Sequence, residues 1–146
     1  MNKVLLVLAC VFMLITSSGY SQQITDEDRV FQSIQEDLLQ RGLTAIEVRN
    51  MEVPVKNMLY VGADAEQVEK TVLDLKQMGL KGRVLTDAVF SMSYLVSMGA
   101  SVQEAAFTVS GAAKKSIERG IMGKNLAIEI EKAVKKRSRE LWDEKQ

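Results

Sequence analysis

The side chains able to move protons in this chain are carboxylates, lysines and tyrosines, because no His is present and the single Cys is Cys10. Without imidazole, Ser–His–Asp triads, Cys–His pairs and histidine metal sites are excluded. Carboxylates alone can still hydrolyse glycosidic bonds, but only as two groups about 5–9 Å apart across a cleft. Glu104 and Glu118 share one segment, and Asp87 stands near the head of a strongly apolar one. Glu104 already has a structural use as the partner of Ser101 in a capping box. Asp87 reads as a charge that suits the first turn of its helix; the alternative is a buried acid with a raised pKa. No pair stands out, so a carboxylate-based hydrolase is the least supported functional reading.

Six methionines follow residue 21: Met51, Met58, Met78, Met92, Met98 and Met122. Thioethers suit Cu(I), but no two of these lie within four residues of each other, and a soft-metal site needs a cluster. They read as flexible core filler. The sequence carries no cofactor or metal motif. Six apolar side chains are candidates for an adaptable groove: Met58, Phe90, Met92, Tyr94, Met98 and Phe107. A run of cations, Lys132, Lys135, Lys136, Arg137 and Arg139, is a candidate contact for anionic lipid or another acidic envelope polymer. The competing reading is a solvated helix face, since Glu131 can pair with Lys135 and Glu129 lies one turn before Lys132. The chain has 19 basic and 19 acidic side chains and only 5% aromatic residues. That balance gives no general attraction to nucleic acid and no stacking platform for single strands.

The elements that must position these residues are helices. Glycines recur at Gly42, Gly62, Gly79, Gly99 and Gly120, each followed by an apolar residue. Glycine just past a helix end takes a left-handed conformation, and the next side chain folds back on the last turn. Thr44 with Glu47, Asp64 with Gln67, and Ser101 with Glu104 have capping-box spacing, and Thr25 with Asp28 opens the first helix similarly. The junctions at Gly79 and Gly120 carry second glycines, Gly82 and Gly123, and no box. Apolar spacings of three and four then predict six helices: about 26–41, 45–61, 65–78, 83–98, 102–119 and 124–142. The fourth is apolar nearly all round and is the expected centre. Pro54 lies within the second; it either bends that helix, exposing a polar groove near Asn50 and Asn57, or divides it in two. Fifteen-residue helices joined by two- or three-residue turns pack against their sequence neighbours. The expected fold is all-α, as a compact bundle or a short helical-repeat, solenoid-like array.

Segment 1–21 reads as an address. Lys3 precedes the 12 apolar residues from Val4 to Ile15, and small and polar residues follow, with Gly19 and Ser21 suitably placed for cleavage after Ser21. A spanning helix needs about 20 apolar residues. A lipid-attachment reading of Val7-Leu8-Ala9-Cys10 would leave only six apolar residues before the Cys and an apolar run after it. The expectation is a bacterial-type signal peptide at 1–21 and a single helical domain at 22–146, exported to the periplasm or beyond, with no transmembrane segment. Cleavage would remove Cys10 and Lys3, so the remaining 125 residues would carry one more acidic than basic side chain and no Cys. Such a domain must be held by packing.

Composition thus closes several catalytic classes and names no partner. The leading expectation is a non-enzymatic envelope protein that binds another envelope protein. The alternative is a carrier of a small apolar or lipidic ligand between helices.

Overall fold

A computed structural model describes residues 25–146. The signal-peptide reading of 1–21 lies outside the described residues. Six helices follow in order among them: α1 (Asp26–Gln40), α2 (Ala45–Tyr60), α3 (Ala65–Gln77), α4 (Gly82–Ser97), α5 (Val102–Glu118) and α6 (Gly123–Asp143). No strand occurs among the described residues.

The helices stop where glycine permits the chain to turn. At Gly42, φ is +87°, and the Leu43 N–H donates to the Leu38 carbonyl while the Gly42 N–H donates to that of Leu39. This is the Schellman pattern, and it satisfies carbonyls the helix end would otherwise orphan. The same bond pair recurs after α2, α3, α4 and α5, closing on Ala63, Leu80, Ala100 and Ile121. Leu43, Leu80 and Ala100 are buried, so each of these turns also adds an apolar plug to the core. Restarts are equally local. Thr25, Thr44 and Ser101 form reciprocal capping boxes with Asp28, Glu47 and Glu104. Asp64 accepts from the Gln67 N–H without a return bond, so that junction has half a box.

Pro54 neither ends nor divides its helix. α2 runs unbroken from Ala45 to Tyr60 with Pro54 buried in its interior, and Asn50 and Asn57 remain exposed. The ring removes one backbone donor, a cost that the packed neighbours of α2 must offset.

Contacts run only between helices one or two places apart in the chain. α2, α4 and α6 lie side by side in one row, α1, α3 and α5 form the other, and consecutive helices join the rows. The bundle is therefore a short two-row helical array. α4 is its centre: it packs against α2, α3, α5 and α6 and buries Leu85, Ala88, Val89, Met92, Leu95 and Val96. Three of the six methionines, Met51, Met58 and Met92, are fully buried, Met78 and Met98 pack against the core, and Met122 is exposed. Among the described residues no helix is long and apolar enough to cross a membrane.

Candidate functional site

The row α2–α4–α6 is fixed at both ends of α4. Its N-cap residue, Lys81, supplies no side-chain cap, and its first turn holds no acidic residue. The missing anion comes from α2. Glu47, only 4% exposed, accepts at Oε1 from the Gly82 N–H at 2.6 Å, while its Oε2 accepts from the Thr44 N–H at 2.9 Å and the Thr44 hydroxyl at 3.0 Å. Lys76 Nζ of α3 donates to Oε2 at 3.1 Å. Burial pushes the Glu47 carboxyl up, but the backbone N–H groups of Thr44 and Gly82, with Lys76 and the Thr44 hydroxyl, outweigh it and lower its pKa to about 2. At the other end of α4, Lys145 Nζ donates to the Met98 carbonyl at 2.6 Å. An anion at the N-terminus and a cation at the C-terminus both oppose the helix dipole favourably. These contacts also set direction: the starts of α2 and α4 meet, as do the ends of α4 and α6, so the three helices are parallel.

That row keeps an apolar strip in solvent. Exposed residues are Ile46, Val53 and Tyr60 on α2, Phe90 and Tyr94 on α4, and Ile128 and Trp142 on α6. Steps of seven along α2, four along α4 and fourteen along α6 place each set along one side of its helix. Two open grooves flank the Phe90 ridge. One, about 910 Å³, runs between α2 and α4 and is lined by Ile46, Asn50, Thr86 and Phe90, with Glu47 and Lys76 in its wall. The other, about 590 Å³, runs between α4 and α6 and is lined by Val84, Phe90, Ser91, Ala127 and Ile128. Arg83 and Asp87 border both.

The carboxylates of these grooves are already matched. Asp87 faces Arg83 at 3.7 Å, Glu131 faces Lys135 at 2.6 Å, and Glu47 holds Lys76. Lys81 lines the first groove and Lys124 the second, and neither has a carboxylate partner among the described residues. Each groove therefore carries an uncompensated cation.

The residues singled out in the sequence separate here. Of the proposed apolar groove, Met58 and Met92 are fully buried in the core and Met98 is partly buried against it. Phe90 and Tyr94 are about half exposed, at 46% and 49%, and Phe90 lines both grooves. Phe107 is 80% exposed on α5 and lines neither. Periodicity marks a side chain as apolar; packing by four neighbours decides which side of α4 stays out. Asp87 lies one turn deeper into α4 than a dipole role requires, and Glu47 fills that role instead. Glu104 and Glu118 are 14 residues apart on α5, about 21 Å along the axis, too far to share a glycosidic bond. Glu104 is held below its usual range by the Ser101 N–H and hydroxyl and by Arg137.

The basic run of α6 is largely neutralised in place. Lys132 meets Glu129 at 2.6 Å, Lys135 meets Glu131, and Lys136 meets Glu140 at 3.9 Å. Arg137 sits among Glu144, Glu140 and Glu104 at 2.9, 3.3 and 3.4 Å. Arg139 is exposed without such a partner among the described residues. No group of three or more acidic, Cys or His side chains able to hold a metal occurs among the described residues.

No protein-family model, curated protein or solved structure matches the chain.

Proposed function

We propose that the chain is a non-enzymatic protein-interaction module of the bacterial envelope, exported by its segment 1–21, and that it binds through the outer side of α2, α4 and α6. The observation that carries this reading is the strip of exposed apolar and aromatic side chains on one row of the array, flanked by two grooves open to solvent. Contiguous apolar surface on a small protein marks a place where something docks. Aromatic anchors such as Phe90, Tyr94 and Trp142 supply large contact area at little entropic cost. Helical arrays present such surfaces on rigid elements.

The carrier reading calls for a ligand enclosed between helices. One residue it would use, Met92, is instead packed in the core. Native mass spectrometry of the tagged full-length protein, recovered under mild conditions from the cells that make it, separates the two. A stoichiometric protein partner is expected. A stoichiometric lipid or other small apolar ligand with no protein would overturn the proposal in favour of the carrier. An N-terminus of Met1 on envelope-recovered protein would refute cleavage after Ser21.

A further inference from the structure

We infer that the segment docking on this face is an acidic amphipathic helix of another protein. The inference rests on the interaction reading above and adds the partner's chemistry. Three observations carry it. First, the apolar positions lie in grooves, with Ile46 and Phe90 bounding one and Phe90 and Ile128 the other. A helix lying along α4 sends side chains at i and i+3 or i+4 to either side of the Phe90 ridge, which is how helix-in-groove recognition reads.

Second, the charge left over on this face is positive. Asp87 and Glu131 are matched by Arg83 and Lys135, and Glu47 by Lys76. Lys81 immediately precedes α4 and Lys124 is the second residue of α6. Because α4 and α6 are parallel, both free ammonium groups border the same end of the face. Farther along, Arg49 on α2 and Arg139 on α6 are also exposed without a carboxylate partner among the described residues, and Phe90, Tyr94, Ile128 and Trp142 supply the apolar side chains. An amphipathic helix with acidic residues beside its apolar side matches this surface, and complementary charge fixes its register. Third, the face is grooved on both sides of Phe90. An anionic membrane would not fill concave grooves, so a protein segment fits better than a lipid surface.

The test places a photo-crosslinking benzoylphenylalanine at position 128 of the full chain. Cells making the protein are irradiated, and the attached segment is sequenced by mass spectrometry. The expected adduct is a segment of another protein with apolar residues at i, i+3 or i+4, and i+7, and with a net acidic charge. Lys81→Glu together with Lys124→Glu should lower its yield about tenfold, and the milder Lys81→Gln with Lys124→Gln about threefold. Both pairs are exposed at helix starts, and an unchanged thermal midpoint verifies the fold. A basic or uncharged segment, a lipid adduct, a second copy of this chain, or a yield insensitive to both double variants would each overturn the inference. Protein adducts through probes at positions 53 and 60 but none at 128 would sink this inference and leave the interaction reading standing. No protein adduct at any of the three would sink both.

Discussion

The Glu47 carboxylate, on the first turn of α2, accepts a 2.6 Å hydrogen bond from the backbone N–H of Gly82, the first residue of α4. One side chain thus completes its own capping box and supplies the cap a neighbouring helix lacks. Lys76 brings α3 to the same carboxylate. Three helices meet on a single buried anion, and the central helix of the array takes its position from it.

Glu47→Ala should therefore cost about 3 kcal/mol, because it strips a cap from two helices at once and leaves the Gly82 and Thr44 N–H groups without their acceptor. Chemical denaturation measures this directly. Glu47→Gln keeps one acceptor oxygen and should lose less. A cost for the alanine variant under about 0.5 kcal/mol, the range of an ordinary surface substitution, would contradict the role assigned to this residue.

The same residue sets an acid limit. Its pKa is lowered from 4.5 to about 2 on folding. A depressed carboxylate stabilises above its unfolded pKa, so the contribution is complete above about pH 5 and fades as pH falls through about 4.5 to 2. The full span corresponds to about 3 kcal/mol. Thermal midpoints measured from pH 6 to pH 2 should fall for the wild type, and Glu47→Gln should flatten that fall. Parallel curves for the two proteins would show that other carboxylates govern acid unfolding.

The helices themselves were legible in the sequence almost to the residue. Glycine with an apolar successor predicts each stop, and the structure places a Schellman turn at all five. The boxes at Thr44 and Ser101 predict two restarts. The two junctions without a box show where local information ends. Gly82 and Gly123 follow Lys81 and Met122, neither of which caps by its side chain. The absence of a local cap at Lys81 is the signal that something distant must serve, but Glu47 lies 35 residues before Gly82. Sequence spacing cannot report that distance. The outer face was half legible for the same reason. Phe90 and Met92 look alike as apolar residues two apart on α4, and only the placement of α2, α3, α5 and α6 buries one and exposes the other.

That difference is measurable. Met92→Ala should cost about 2–5 kcal/mol, as expected for a fully buried side chain in the centre of the array. Phe90→Ser, about half exposed, should cost less than about 1 kcal/mol. Comparable losses for the two would mean that Phe90 belongs to the core and not to a docking face.

At the far end of α4, Lys145→Ala removes the cation donating to the Met98 carbonyl. The contact is exposed, so a loss of about 0.5 kcal/mol is expected. Gly99→Ala should cost more, about 1–2 kcal/mol, because φ at Gly99 is +102° and a Cβ there would come within 2.9 Å of Lys145 Nζ. Combining the two changes relieves the contact but not the backbone strain. The double variant should therefore remain less stable than Lys145→Ala alone.

The docking face is tested most directly by partner recovery with matched surface variants. Tagged wild-type protein, Phe90→Ser with Ile128→Ser, and Phe107→Ser are each isolated from the cells that make them, and the bound protein is quantified per chain by mass spectrometry. Phe107 is the control, being exposed on the other row. A stoichiometric partner is expected with wild type and Phe107→Ser, and a loss of at least about tenfold with Phe90→Ser and Ile128→Ser combined, at unchanged thermal stability. A partner retained in full by that double variant, or lost only on changing Phe107, would contradict docking on this face.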